Sequence, residues 1–159
     1  RAHPPRPPTR TEGNPMTSYA PTITLDEART IIAATLEHGR AEQMNPLVVL
    51  VLDAASSPIA YERSDGSPTG RFDIARGKAN GALQLGVNSK RIGEMAIERP
   101  HFINGVMASI SGPFVPVAGG VIVLRDGVVV GAVGVSGDTS DNDEAAAIAG
   151  ITAAGLDHP

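Results

Sequence analysis

An uninterrupted aliphatic run, Leu47 to Asp53, constrains the fold of this chain more than any other feature of its sequence. The side chains before Asp53 are all Leu or Val, whereas a strand with one face in water would alternate apolar and polar residues. Asn45-Pro46 ends the element before the run, and the turn-forming stretch Ala54 to Pro58 follows it. The pattern therefore predicts a central strand that is buried on both faces.

The segment after that turn, Ile59 to Arg63, alternates in polarity and is predicted to be a second strand. Because so short a connection cannot cross over a sheet, the two strands should pair antiparallel. A second hairpin is indicated by Asp126-Gly127, which separates the β-branched runs Val121 to Arg125 and Val128 to Val135. The sheet is therefore expected to be antiparallel.

Helical periodicity and capping signals surround these strands. Thr24 and Glu27 have the spacing of a capping box, which predicts a first helix over about 25–42. Further helices are predicted over about 72–86, 89–98 and 144–154. The element order is then α-ββ-αα-ββ-α, which defines an α+β fold with helices packed on an antiparallel sheet.

The first 21 residues differ in composition from the rest of the chain. They hold six of its 13 prolines and almost no apolar side chains, so they cannot bury enough surface to offset the entropy of ordering. We expect residues 1–21 to form a disordered or polyproline-type tail. A single domain is expected over 22–156, because a chain of 159 residues holds one hydrophobic core.

Composition excludes several classes of function. Aromatic residues make up 3% of the chain and the net charge is -4, so neither a base-stacking surface nor a phosphate-binding footprint for nucleic acid is expected. The chain has no cysteine, which removes disulfides, thiolate zinc sites and cysteine nucleophiles. Because no apolar run approaches the length of a membrane span, we expect a soluble, cytoplasmic protein with no membrane partner.

Two short motifs near the C-terminus invite a chemical interpretation. The stretch around Ser136, Gly134 to Gly137, resembles a nucleophile elbow without its last glycine, and its small residues favour close backbone packing or close approach of a ligand. Four carboxylates follow within seven residues: Asp138, Asp141, Asp143 and Glu144. Their spacing lacks the glycine of an EF-hand loop, which favours helix capping over a metal site, with ligand contact as a third interpretation.

Four basic side chains are further candidates for ligand contact. His38 lies near the end of the first predicted helix, where a cation complements the helix dipole. His101 follows a predicted helix end, where it is either solvated or placed at the edge of a pocket. Lys78 either extends along an apolar helix face or contacts an anion. Arg63 ends the second strand near Asp65, with which it would form a surface ion pair.

Several short motifs follow one another in a specific order along the chain. They are Val51-Leu-Asp53, Tyr61-Glu-Arg63-Ser-Asp65-Gly66, Ala75-Arg-Gly-Lys78-Ala79, Gly119-Gly120, Gly131-Ala-Val-Gly134-Val-Ser-Gly137, Asp143-Glu144 and Ala149-Gly150. In this order and spacing, between Thr22 and Leu156, they resemble the GlcG/HbpS family of small haem-binding or haem-degrading domains, to which the C-terminal domain of PduO-type proteins is related. One departure is the turn Ala54 to Pro58, where the family has Gly-Gly, so the rim of the pocket should differ there.

This resemblance implies a profilin-like fold, a five-stranded antiparallel sheet flanked by helices, and we place the fifth strand in Phe114 to Ala118. It also implies a homo-oligomer that binds haem or a related tetrapyrrole, with slow haem degradation or redox sensing as associated activities. Ligand contacts are then expected from Lys78, Arg63, Gly119, Gly120, Ser136 and Asp143.

If a protein side chain ligates the iron of such a haem, the donors that remain without cysteine are His38, His101, the four Met residues and a Tyr. His101 is the preferred donor, because apolar residues from Phe102 to Met107 follow it and would cover a porphyrin face. Lys78 or Arg63 would then pair with a haem propionate.

Two other classes of function stay open at this stage. In the first, an enzyme of small carboxylic-acid catabolism binds its substrate near Lys78 and Gly119-Gly120, and Asp53 or Asp143 moves a proton. In the second, the protein is a structural partner whose oligomeric surface is its function. The scarcity of aromatic residues argues against a haem pocket, whereas the absence of a tight catalytic constellation argues against the enzyme.

Overall fold

The aliphatic run forms the central strand of the fold. The computed structural model describes residues 19, 20 and 22–159, and in it the run becomes β1 (Val48–Asp53). Every side chain of β1 before Asp53 is fully buried, which confirms the prediction of a strand covered on both faces. The next strand, β2 (Pro58–Arg63), pairs antiparallel with β1.

The second predicted hairpin completes the sheet. β3 (Gly120–Arg125) and β4 (Val128–Ser136) flank the Asp126-Gly127 turn and pair antiparallel. β4 also pairs with β1, so the strand order is β2-β1-β4-β3. The two hairpins therefore meet along the central pair β1 and β4.

Helices cover both faces of this sheet. In chain order they are α1 (Leu25–Ala41), α2 (Arg71–Leu85), α3 (Ser89–Glu98), α4 (Pro100–Ser109) and α5 (Ser140–Ala153). The predicted capping box at the start of α1 is present, with Thr24 and Glu27 exchanging side-chain and backbone hydrogen bonds. α1 and α5 pack against each other and on one face of the sheet, while α2 crosses the other face and leads to α3 and α4.

The core follows the two-residue period of the strands. Val49, Val51, Val133 and Val135 pack with residues of α1 and α5, whereas Leu50, Leu52 and Ala132 pack with Ala79 of α2. α2 lies unusually close to β4, because Gly134 has no side chain to hold it away. A Cβ atom at Gly134 would overlap the carbonyl of Ala75.

The outer edge of β3 is closed by side chains and by the C-terminal segment. Alternate backbone N–H groups along this edge strand each have a partner outside the sheet. Gly120 N donates to Ser89 Oγ at 2.7 Å and Ile122 N to Asn88 Oδ1 at 2.9 Å. Leu124 exchanges two backbone hydrogen bonds with Asp157. Asn88 and Ser89, at the start of α3, therefore occupy positions that a further strand would need.

The prediction of a fifth strand in Phe114 to Ala118 is wrong, since the sheet of the described residues has four strands. That segment runs over α2 instead, where Val115 N donates to Gly77 O at 3.2 Å. The physical reason is the closed edge of β3, the strand that directly follows this segment, which leaves the segment no ladder to join at that edge.

A second difference from the prediction is α4, because the sequence analysis predicts no helix directly after 89–98. Pro100 was interpreted as the end of a helix, and it does follow the end of α3. The same proline occupies the first turn of α4, where its missing N–H costs nothing and its fixed φ angle suits a helix. Arg99 is thus the only residue between the two helices.

No helix among residues 19, 20 and 22–159 is both long enough and apolar enough to cross a membrane. Of the predicted tail, residues 1–18 and 21 lie outside the described part of the chain. Thr22, just after it, is fixed to the domain, because its hydroxyl donates to Val130 O and its carbonyl accepts from Arg125 Nη1.

Candidate functional site

A buried ion pair joins α2 to the start of α5. Lys78 Nζ lies 2.9 Å from Asp143 Oδ2, and the exposed fractions of the two side chains are 2% and 1%. The ammonium also donates to Val135 O at 3.0 Å, and Asp143 Oδ1 accepts from Asp138 N at 2.9 Å. Both charges are therefore fully partnered inside the protein, as buried charges must be.

Two glycines that the sequence analysis predicts to contact a ligand lie directly against Lys78 of this ion pair. Gly119 has a φ angle of +122°, and a Cβ atom there would lie 2.9 Å from Lys78 Nζ. A Cβ atom at Gly120 would overlap the backbone carbonyl of Lys78. The Gly119-Gly120 segment thus leaves room for the lysine itself.

The two remaining residues predicted to contact a ligand, Ser136 and Arg63, lie in different places. Ser136 is buried at the end of β4, where its hydroxyl accepts from Arg71 Nη1 at 3.3 Å. Arg63 is exposed on the edge strand β2 and takes no part in the ion pair. The structure therefore brings together Lys78, Asp143 and the two glycines, but not Arg63.

This arrangement bears on the small-acid hypothesis. A carboxylate ligand that reached Lys78 would have to displace Asp143 from an interior contact. No further observation favours that function, and the ligand-binding roles of Lys78, Asp143, Gly119, Gly120 and Ser136 stay predictions. The N-cap of α5 is Thr139, whose Oγ1 accepts from Asn142 N, and Asp143 lies in the first turn of the helix, where a carboxylate complements the helix dipole.

Burial sets the protonation behaviour of the pair. It lowers the pKa of Lys78 from its ordinary 10.5 and raises the pKa of Asp143 from its ordinary 3.8, while the contact between the two opposes both shifts. In the folded protein Lys78 therefore holds its proton less tightly, and Asp143 more tightly, than in the unfolded chain.

We predict a characteristic pH dependence from these shifts. Just below pH 10.5 the unfolded chain binds more protons at Lys78, so stability rises with pH. Just above pH 3.8 the folded protein binds more protons at Asp143, so stability falls with pH. A Lys78→Met/Asp143→Leu variant lacks both contributions. The free energy of unfolding of the parent, taken relative to that of this variant, should therefore be lowest near neutral pH. Urea unfolding of both proteins between about pH 4 and 10 measures this difference. A difference that does not change with pH would contradict the prediction.

A second cluster surrounds His101 at the start of α4. Here an open groove of about 390 Å³ is lined by Leu85, His101, Phe102, Gly105, Val106, Ser109 and Ile110, which we call the His101 groove. Its walls are mainly apolar, and its volume lies within the range of small-molecule sites. His101 is exposed in the first turn of α4. The groove therefore combines an accessible imidazole with an apolar surface.

Contacts at both ends of α4 hold this helix, and with it the groove, in place. Arg99 places its guanidinium over the ring of Phe102, with its central carbon 4.5 Å from the ring centre. Beyond the other end of α4, the buried Asn80 Nδ2 donates to Ser111 O at 3.0 Å and Pro113 O at 2.8 Å. These contacts anchor the chain on either side of α4. Sequence reasoning missed Arg99, although its place next to an apolar segment was a usable signal.

His38, the other candidate iron donor, lies elsewhere. It is half-buried in the last turn of α1, where a cation complements the helix dipole, and it does not line the His101 groove. No group of three or more His, Cys, Asp or Glu side chains within residues 19, 20 and 22–159 is placed to hold a metal ion.

Another cavity, of about 470 Å³, lies between α3 and the start of α5. Ile97 and Val117 form apolar parts of its wall, and the exposed fraction of Ile97 is 86%. Its cation, Lys90, is already within 3.5 Å of Asp141 and Glu144. This cavity offers an apolar surface but neither an imidazole nor an unpaired cation.

The fold and the two clusters define a small α+β domain with one antiparallel sheet, a glycine-walled internal ion pair and an open apolar groove. Residues 23–152 match the family described as haem-degrading, HbpS-like proteins, and the chain belongs to this family.

A curated relative from Citrobacter freundii is an uncharacterised 15.0 kDa protein of the dhaT-dhaS intergenic region. It is 31% identical over 123 residues, which cover 77% of this chain and 84% of the relative. Among solved structures, the PduOC complex with haem superposes with a TM-score of 0.77 at 22% identity, covering 86% of this chain and 97% of PduOC. HbpS gives 0.74 at 24% identity, covering 86% of this chain and 92% of HbpS. At these identities the structural similarities concern the fold.

Proposed function

We propose that this protein binds haem in the His101 groove. The observation that carries the proposal is the position of His101, an exposed imidazole in the wall of an apolar groove. Family membership supports it, because the family is described by haem degradation and because PduOC, a protein of the same fold, has been crystallised with haem.

The residues present fit the chemistry of the group. A porphyrin supplies four nitrogen ligands to its iron, so the protein needs to provide only axial donors, and a neutral imidazole is a common one. Phe102, Val106 and Ile110 offer apolar surface for the face and edge of the ring. When bound, haem would supply the iron-centred redox chemistry that the side chains themselves lack.

The propionates of haem require a cation, and Arg99 is the best-placed one at this groove. Its guanidinium lies over Phe102, one of the groove residues. Arginine binds carboxylates in a bidentate fashion, and an exposed position lets its charge remain solvated. Lys78, an earlier candidate, is held by Asp143, and Arg63 does not line the groove. We therefore assign propionate binding to Arg99.

Slow oxidative degradation of bound haem and a role in redox sensing belong to the same proposal. The family description supports degradation. Loss of the Soret band with release of chelatable iron, after addition of a reductant in air or of peroxide, tests this activity. A Soret band that persists under both conditions would exclude it.

We also propose that the protein is a homo-oligomer. Ile97 and Val117 line one cavity between α3 and the start of α5, and their side chains are 86% and 39% exposed on the single chain. Contiguous exposed apolar surface commonly marks an interface between copies. Light scattering at micromolar concentration tests this, and a mass near the 16.3 kDa of one chain would overturn it.

A haem titration tests the central proposal. The parent protein should give a saturable shift of the Soret band. His101→Ala should weaken binding at least tenfold, which corresponds to about 1.4 kcal/mol, because it removes the axial donor. Arg99→Gln should weaken binding of haem but not of its dimethyl ester, which lacks the propionate charges.

The matched control is His38→Ala, which removes an imidazole outside the groove and should titrate like the parent. If His101→Ala and the double His variant also titrate like the parent, ligation by histidine is excluded. If the parent gives no saturable shift, haem binding itself is wrong.

A further inference from the structure

α4 is more apolar than its packing requires. Among its ten residues only Ile103 is buried, and the helix packs mainly against α3. Phe102 and Met107 are 39% and 48% exposed. A helix with this composition at the surface of a single chain has an unsatisfied apolar face.

The His101 groove offers haem only one strong axial donor. Its other polar side chain is the hydroxyl of Ser109, a weak ligand for iron. Met107, also on α4, is not among the groove residues. Haem iron has two axial positions, one on each face of the ring. A ring bound to one chain would thus have one ligated, covered face and one face without a protein donor or apolar cover.

We propose that a second copy of this chain covers that other face, so that one haem is held between two α4 helices and ligated by His101 of both copies. This inference rests on the proposed function and adds to it the partner, the second iron ligand and a stoichiometry of one haem per two chains. Because the same surface is used twice, the contact is isologous and closes as a pair.

Charge complementarity supports this choice of partner. Each copy presents one Arg99 beside the groove, and haem carries two propionates. A two-fold axis in the plane of the ring, passing through the iron and between the propionates, exchanges both the two faces and the two propionates. Each Arg99 can then pair with one propionate. Without haem the two guanidinium groups would face each other unpaired, which makes the association dependent on the ligand.

The test is a haem titration of the full chain, followed by light scattering and absorbance spectroscopy. We expect the titration to break at half a haem per chain, and the mass of the assembly to double relative to the haem-free protein. The spectrum should be that of low-spin, six-coordinate iron with two imidazole ligands. Excess free imidazole should keep the iron low-spin but return the mass to that of the haem-free protein, because it replaces the partner's histidine.

Three outcomes would overturn the inference, and they differ in what they say of the proposed function. A break at one haem per chain with high-spin iron shows a haem protein without the pair. Low-spin iron with an unchanged mass shows that the second ligand comes from the same chain or from solvent. Absence of any saturable Soret shift removes both the inference and the proposed function. The His38→Ala variant should pair like the parent, whereas His101→Ala should lose the low-spin spectrum.

Discussion

Replacing Lys78 with Met should lower the free energy of unfolding by about 3–5 kcal/mol, the cost of removing one partner from a buried ion pair. The substitution leaves the Asp143 carboxylate without its cation in the interior, and it leaves Val135 O without its donor. Asp143→Asn should have an effect of the same order, because it leaves the ammonium uncompensated. Since a domain of this size is stabilised by only about 5–15 kcal/mol, either variant should lose a large fraction of its stability.

Two controls isolate the electrostatic contribution. The Lys78→Met/Asp143→Leu variant removes both charges together and should recover most of the loss, because an apolar pair of similar volume replaces an ion pair at little cost. Arg40→Ala breaks an exposed contact with Glu37, 2.7 Å long, and should change stability by less than about 1 kcal/mol. Urea unfolding followed by circular dichroism measures all four proteins. If Lys78→Met were as stable as Arg40→Ala, the pair would not be buried as described.

Gly134→Val should be comparably disruptive for a steric reason. A Cβ atom at Gly134 would overlap the backbone carbonyl of Ala75 and lie 3.1 Å from the Cβ of Ala79. Neither atom belongs to the far end of a flexible side chain, so α2 would have to move away from the sheet. We expect a loss of about 3 kcal/mol or more, at the upper end of what overpacking costs.

The matched control for this substitution is Gly105→Ala in α4. No atom lies within 4 Å of a Cβ placed there, so the alanine should stabilise the helix by up to about 1 kcal/mol. Thermal unfolding compares the two variants with the parent. A Gly134→Val protein that melts within a few degrees of the parent would show that α2 does not need this close approach.

The strands and the second hairpin could be predicted from the sequence, because the residues that specify them lie within short stretches of chain. An aliphatic run predicted β1, and Asp126-Gly127 predicted the second hairpin. The fifth strand was wrong for a non-local reason. Phe114 to Ala118 has the composition of a strand, but the edge it would join is occupied by side chains from a distant helix.

The candidate site likewise has one part that the sequence predicts and one part that it does not. His101 and its apolar neighbours are adjacent in sequence, so a groove at this point could be expected. The contact of Lys78 with Asp143 joins residues 65 positions apart, and no local pattern specifies it. The carboxylate was instead assigned to capping, the ordinary role of an acidic residue near a helix start. Pairing of charges across a fold follows from packing, which the sequence encodes only globally.

The hydrogen bonds that close β3 also limit how copies of this protein can associate through their sheets. A filament built by adding strand to strand needs two open edges on every molecule, one to receive and one to donate. Among the residues that the structure describes, Asn88, Ser89 and Asp157 occupy the β3 edge, so that β2 alone is left to pair with another sheet. Growth by strand addition therefore terminates at two molecules. Even at high concentration, the described residues therefore cannot extend a fibre by edge-to-edge pairing of their native sheets.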